Sequence, residues 1–331
     1  MTDFFIKHGR YNRYKAEVDA YLFNRLPVFL TKGQDKLASA MRYSSEAGGK
    51  RIRPVMALAV CDLLGGDREL VLPFACAIEM IHTYSLIHDD LPCMDDDALR
   101  RGKPTCHKEF GEDIALLAGD ALLNLAFETV LHKIAEIPDL ETQADAVRAA
   151  ACIAEASGAA GMAGGQAIDL QGEIETIEQL QHLHFLKTGK MIIAPVLVAA
   201  ILSRAKKVDY DRLYEYAKGI GLAFQIKDDI LDVYGDSKML GKDTGRDEKN
   251  KKTTFVRLLG LEGTQKLLFE TQQNAMRHLM EIDGFSADVN ANMNVAADAD
   301  ASHDTDTGAD AGRTHRDFLI ALSNFIVDRD T

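Results

Sequence analysis

Positive charge is what this chain has too little of: 38 Lys and Arg stand against 51 Asp and Glu, a formal charge of −13. That deficit excludes a nucleic-acid or anionic-membrane surface, both of which select clustered basic side chains on a positive background. Cysteine is sparse as well. The five, at 61, 76, 93, 106 and 152, form no CxxC pair, which argues against a disulfide framework and for reduced, packed thiols. The longest apolar run, 191–202, has twelve residues, short of the roughly 20 that a membrane-crossing helix needs. The opening stretch, MTDFFIKHGRYNRYKAEVDAYL, is broken by charge too often for a signal peptide. These absences lead to the expectation of a soluble, cytoplasmic protein with no membrane span and no nucleic-acid partner.

Alternation at period two is scarce and only seven prolines punctuate the chain, so strands are not expected. Apolar residues recur at spacings of three and four instead, most clearly over 71–91, 115–131, 180–202 and 210–234, with a turn at LGGD, 64–67. The fold class is therefore all-α, an antiparallel helical bundle. Length alone allows one or two domains; the motifs below run through most of the chain and favour one, over 1–331. The segment 286–313 is rich in Ala, Asp and Asn and has no aromatic residue; its six Asp and one Arg give −5 of the −13, leaving −8 elsewhere. No calcium-loop spacing is present, so it reads as a flexible acidic insert, followed by a short closing helix at 317–327.

The strongest signal is LIHDDLPCMDDDALRR, 86–101, with five aspartates within nine residues at the end of an apolar helix. One or two would suit a cap or an acidic turn. An adjacent pair directly continuing an apolar helix is different, because unpaired carboxylates repel and are costly to desolvate. A divalent cation relieves that cost. A second cluster, Asp228, Asp229 and Asp232 in FQIKDDILDVYGD, again follows an apolar run, with Asp228 and Asp232 on one helix face. All-oxygen ligands without His/Cys geometry favour Mg²⁺ or Mn²⁺ over zinc. Magnesium takes few carboxylates and completes its octahedron with water and phosphate oxygens, so two facing sets suggest a diphosphate clamped through metal ions. Basic residues stand where a phosphate needs them: GGKRIRP at 48–54, Arg100 and Arg101, Lys187, Lys242 and Lys252.

In order and at family spacing, GGKRIRP, HDDLPCMDDDALRRGKPTCH, GMAGGQAIDL, LKTGKM and GLAFQIKDDILDVYGD resemble the trans-prenyl diphosphate synthases, and among them the bacterial farnesyl diphosphate synthases, over roughly 25–280. The resemblance implies the isoprenoid synthase bundle around a central cavity, a homodimer, and Mg²⁺, three ions per active site, with Mn²⁺ as the alternative. It implies head-to-tail condensation of isopentenyl diphosphate with dimethylallyl and then geranyl diphosphate. Asp89, Asp90 and Asp95 fall on the first metal motif, with Asp89 and Asp95 as direct ligands, and Asp228, Asp229 and Asp232 on the second. Geometry alone leaves the first motif open: an unbroken helix would bring Asp96 under Asp89, but Pro92 makes that phase unreliable.

Lys50, Arg53, His82 and Arg101 match the positions that hold isopentenyl diphosphate, while Arg100, Lys187, Thr188, Gln225, Lys242 and Lys252 match those around the allylic diphosphate. Arg100, Lys187 and Lys242, with the metals at Asp89, Asp95 and Asp228, are suited to stabilise the departing diphosphate. No Ser/His/Asp nucleophile is required and none is evident. Tyr84 and Ser85, five and four residues before Asp89, occupy the positions that set product length in the family. The competing readings are a geranylgeranyl diphosphate synthase, which shares these motifs, and a noncatalytic partner subunit, which would be expected to lack one aspartate motif. A terpene cyclase would carry a mixed Asn/Ser/Glu second motif instead of DDILD.

Overall fold

The computed structural model describes residues 9–28, 31–234, 253–282 and 308–327. Helices α1 (Gly9–Arg25), α2 (Gln34–Glu46), α3 (Ile52–Leu63) and α4 (Arg68–Asp89) lead to a small hairpin, β1 (Leu99–Arg100) with β2 (Lys103–Pro104). There follow α5 (Cys106–Phe110), α6 (Glu112–Glu136), α7 (Leu140–Ser157), α8 (Met162–Gln171) and α9 (Ile177–His184). A π turn, Phe185–Gly189, joins α9 to α10 (Lys190–Leu202), and α11 (Lys207–Tyr234), α12 (Phe255–Met280) and α13 (Gly308–Val327) complete the bundle. The fold is the all-α bundle that the sequence predicts. The hairpin, absent from that reading, is its one departure into strand among the described residues.

The caps explain where helices begin. Asp67, at the end of LGGD, accepts the N–H of Glu69 at 2.8 Å and starts α4. Thr176 and Gln179 form a reciprocal capping box that starts α9. At the centre lie α4 and α10, packed on one another and both on α3. Every residue from Met191 to Ala200 is buried, so the twelve-residue apolar run has no polar face because it has no solvent-facing side. A single core cluster gathers side chains from Tyr11 to Val327, and a smaller one joins Leu180, Leu183, Ile226 and Phe255.

Two details differ from the sequence reading. The last helix starts at Gly308, so it takes in the final residues of the acidic segment 286–313 rather than beginning at 317; the rest of that segment, through 307, lies outside the described residues. Measured over an 18-residue window rather than an unbroken run, three stretches, Arg68–Asp89, Glu112–Glu136 and Ile177–Leu202, are long and apolar enough to cross a membrane. The first and third are 72% and 67% buried in the bundle, which accounts for their apolarity, whereas the second is 44% buried.

Candidate active site

The first aspartate cluster begins where α4 ends. Pro92 cannot continue the helix, so the chain leaves it at Asp90 and folds back: the Asp95 N–H donates to the Asp89 carbonyl at 2.9 Å. This return, not helical phase, brings Asp95 to Asp89. Asp96 sits in the left-handed region at φ 49° and turns outward, 3.4 Å from Lys108. Burial pushes the Asp89 carboxyl up to about 6, helped by the charges of Asp95 and Asp90 and opposed by Lys187 and Arg100. Asp90 plays another part. Only 2% exposed, it receives the Arg100 guanidinium at 2.7, 2.8 and 3.0 Å, a forked pair that commits its carboxylate. Of the three carboxylates expected at the first metal motif, Asp90 is thus engaged by Arg100, while Asp89 and Asp95 are brought together by the return of the chain.

Consecutive arginines reach two different sites because of the hairpin between them. Arg101 and Gly102 occupy its two-residue turn with φ 53° and 74°, the pair of positive values that a tight right-twisted hairpin requires. Arg100 thereby lies back over Asp90, while Arg101 donates to the carbonyl of Gly48. Gly49, at φ 138°, holds a backbone conformation that strains any other residue, and the Arg101 guanidinium lies 2.9 Å from where a Cβ would stand.

Lys187 and Thr188 stand on the π turn, a widened turn of a kind often found at functional sites. Gly165 of α8 lets the turn approach, since a Cβ there would fall 2.3 Å from the Lys187 nitrogen, and Asp169, one turn further along α8, accepts the Lys187 Nζ at 2.7 Å. The other side of the turn packs on α11, where Gly221 meets Gly189. Gln225, Asp228 and Asp232 continue the Gly221 stripe along α11 at helical spacing. Gln225 is engaged through its Nε2, 3.2 Å from His184 Nδ1. Asp229, 5% exposed, points elsewhere and accepts the N–H of Phe255 at 2.7 Å, fixing the start of α12. Of the three carboxylates expected at the second metal motif, Asp229 is thus engaged by the start of α12, while Asp228 and Asp232 stand on the stripe.

Beside the aspartates lies a cavity of about 560 Å³ lined by Lys50, Arg53, His82 and Arg101, the four residues expected together from the sequence, with Phe224, Ile326 and Met56 among its apolar walls. Its cations crowd one another. Burial lowers the Arg53 guanidinium, with Arg101 adding to the effect, and Arg53 Nε is shielded with no hydrogen-bond partner. Burial and then the neighbouring arginines hold His82 well below its ordinary value, so it is neutral near pH 7. Such a pocket is arranged for an anion with several oxygen atoms.

Three residues of this site carry no role in the sequence reading. Glu79, buried at 3%, accepts Arg51 at 3.0 Å and is the counter-ion of the cation pocket; a lone acid in the apolar run FACAIEMIH was its signal. Asp169, within GMAGGQAIDL, holds Lys187. On the same stretch, Gln166 has both amide atoms shielded and unpartnered. Tyr84 meets His88 edge-on at 5.7 Å, and Asp89 acts on its phenol, which burial raises. The Ser85 hydroxyl turns back to the His82 carbonyl at 2.9 Å. Lys242 and Lys252 lie outside the described residues.

An all-helical bundle with carboxylates gathered at helix ends beside a buried cation pocket defines a class of enzyme that handles polyanionic substrates. The comparisons with known proteins specify it. The polyprenyl synthetase family model matches residues 34–289. The chain is 48% identical to the farnesyl diphosphate synthase of Geobacillus stearothermophilus over 255 residues, 76% of this chain and 84% of that protein. It is 47% identical to the geranylgeranyl diphosphate synthase of Cyanophora paradoxa over 248 residues, 74% and 81% of the two chains. Among solved structures, an FPP/GFPP synthase from Zymomonas mobilis superposes with a TM-score of 0.77 at 34% identity, covering 99% of this chain and 100% of the other. The chain belongs to the polyprenyl synthetase family, and it is a prenyltransferase.

Proposed function

We propose that the protein condenses isopentenyl diphosphate with dimethylallyl and then geranyl diphosphate to give (E,E)-farnesyl diphosphate. The observation that carries the reaction is the neighbourhood of two oppositely charged sites, one made of Asp89 and Asp95 with Lys187 and Arg100 near, the other of Lys50, Arg53, His82 and Arg101. Two diphosphates are thus handled differently, which a head-to-tail condensation needs, since only one of them departs.

The first site fits Mg²⁺. Asp89 is destabilised as an anion by burial and by its neighbours, and a divalent cation relieves that. Mg²⁺ takes one or two carboxylates and fills its octahedron with phosphate oxygens and water, so a site with few protein ligands suffices for it. Asp89 and Asp95 would hold ions from one side, and Asp228 and Asp232 from the other; three Mg²⁺ per site is the expected complement, with Mn²⁺ as substitute. Bound there, the metal supplies Lewis-acid stabilisation of negative charge on the leaving group. Lys187 and Arg100 add fixed positive charge at the same place, preorganised by Asp169 and Asp90. The four residues of the cation pocket hold isopentenyl diphosphate so that its double bond meets the allylic carbon, and the apolar wall excludes water from the cation.

The fifteen-carbon product is supported by Tyr84, a bulky side chain five residues before Asp89 on α4, at the position that the resemblance ties to product length. A second reading, twenty-carbon synthesis, is favoured by the name of the Cyanophora relative. Homodimerisation is supported by α6, whose Leu116, Leu117 and Leu131 are 47%, 50% and 60% exposed. The five free cysteines support the expected cytoplasmic setting. The test is incubation with Mg²⁺, isopentenyl diphosphate and each allylic primer, then chromatography of the dephosphorylated products. Farnesol as the main alcohol is expected; geranylgeraniol as the main alcohol overturns the product assignment, and no alcohol at all overturns the reaction.

A further inference from the structure

The family model begins at residue 34 and ends at 289, so the first and last described helices, α1 and α13, lie outside it. Both nevertheless meet at the loop that carries Lys50 and leads into α3, where Arg53 stands. The Tyr11 hydroxyl of α1 donates to the Lys50 carbonyl at 2.5 Å. Asp19, two turns along, accepts Arg51 Nε at 2.8 Å. From α13, the Phe325 ring lies under the Lys50 ammonium, 5.1 Å from centroid to Nζ, and its neighbour Ile326 lines the cation pocket.

The two helices are also fastened to each other. Tyr11 and Phe325 meet edge-on at 6.3 Å, Tyr14 and Phe318 at 5.5 Å, and Arg10 donates to the Thr314 carbonyl at 3.2 Å.

What the clasp holds is a loop under conformational constraint. Gly48 and Gly49 have φ 89° and 138°, and Arg51 sits at φ 49°, a left-handed value that an L side chain adopts only where its surroundings fix it. Arg51 is 3% exposed, and all three of its guanidinium nitrogens are used, on Asp19, Glu79 and the Ser45 carbonyl. It does not itself serve as a ligand for a substrate anion. Its role is to fix the backbone on either side, from which Lys50 and Arg53 project into the cavity.

We infer that α1 and α13 form a terminal clasp whose Tyr11, Asp19 and Phe325 are positioning residues for the second diphosphate pocket. This rests on the assignment of that pocket to isopentenyl diphosphate. The clasp acts through Lys50 and Arg51, so loosening it weakens use of isopentenyl diphosphate and leaves the allylic side, built on α4, α8 and α11, as it was.

The test compares Tyr11→Phe, Asp19→Asn and Phe325→Leu with Arg53→Ala in the full-length protein. KM is measured for each substrate with the other saturating, and a thermal melt reports folding. Tyr11→Phe, which removes one oxygen and keeps the ring, is expected to raise KM for isopentenyl diphosphate about three- to tenfold, the value of one hydrogen bond. Asp19→Asn is expected to raise it about tenfold or more, with Asp19→Glu recovering part of the loss. The allylic KM stays unchanged in both. If Arg53→Ala raises KM for isopentenyl diphosphate but the clasp variants do not, the clasp is refuted and the pocket stands. If the clasp variants raise both KM values equally, they act on the fold alone and the inference is again refuted. If Arg53→Ala leaves KM for isopentenyl diphosphate unchanged, the pocket assignment fails first. Should Asp19→Asn not fold, Tyr11→Phe decides.

Discussion

The aspartate wall and the cation pocket share one helix, α4, which gives Asp89 to the first and His82 to the second, and each crowds like charges, but of opposite sign. In the wall, burial and neighbouring carboxylates push Asp89 up to about 6. In the pocket, burial and neighbouring arginines push Arg53 and His82 down. Each region has a counter-charge set just behind it: Arg100 on Asp90 for the wall, Glu79 on Arg51 for the pocket. What the comparison teaches is that an acidic chain can bind two anions without being basic overall. It recruits metal for one and concentrates its few cations for the other.

The comparison breaks first if the wall proves dispensable. Asp89→Ala and Asp228→Ala are each expected to lower turnover about a thousandfold or more, several kcal/mol of transition-state stabilisation, with the far-ultraviolet circular dichroism spectrum unchanged. A chelator should abolish activity and added Mg²⁺ restore it. Turnover within tenfold of the wild type in either variant would remove the metal clamp.

The division of labour is sharpened by substrate kinetics. Arg53→Ala and Lys50→Ala should raise KM for isopentenyl diphosphate about ten- to a hundredfold, the worth of a charge-assisted contact, and Lys187→Ala should fall mainly on the allylic substrate. Equal effects on both substrates from all three would erase the distinction between the two regions.

Between these effects lies product length. Tyr84→Ala is expected to move the main product from fifteen to twenty carbons or more, read by chromatography of the dephosphorylated alcohols. An unchanged product would show that the ring beside His88 is not the floor of the cavity.

A smaller effect belongs to the metal-free protein. Because the Asp89 carboxyl is raised above its ordinary 3.8 to about 6, the protonated form is the one the fold prefers. Its contribution, up to about 3 kcal/mol, is complete below the ordinary value and is lost as pH rises through about 6. Asp89→Asn should flatten the chelated protein's stability between pH 4 and 7 in urea titrations, and added Mg²⁺ should oppose the wild-type decline. A slope that survives the substitution would assign it to another group.

The smallest effect is expected from removing the acidic segment. The helix that starts at Gly308 sets the limit, so residues 286–307 can be replaced by a short Gly/Ser linker. Turnover should stay within about twofold, because the segment has little apolar surface to give a core; a loss of folding would contradict its reading as an insert.

Much of this was legible in residue patterns. Apolar spacing located α4, α6, α10 and α11, and the motif positions placed Lys50, Arg53, His82 and Arg101 around one cavity. What stayed hidden depended on backbone geometry that composition does not encode. Nothing in RRGK shows that the turn at Arg101 and Gly102 sends two adjacent arginines to different sites. Nor does DDILD show that its middle carboxylate, Asp229, binds a backbone N–H of another helix. Asp90 is a related case, since the motif does not show that the returning chain sets its carboxylate against Arg100. The start of α13 was missed because GADAGR has no apolar period to mark it.

The π turn at Phe185–Gly189 has a mechanical side. Residues before it, Leu180 and Leu183, belong to the small core with Ile226 and Phe255, whereas those after it, from Met191 onward, belong to the large one. One continuous rod of helix is therefore anchored at its two ends in two apolar clusters, and its widened turn lies between them. Lys187 is mounted on that turn. Its ammonium is held there by Asp169 at 2.7 Å, so the place of that charge depends on the packing of both cores at once.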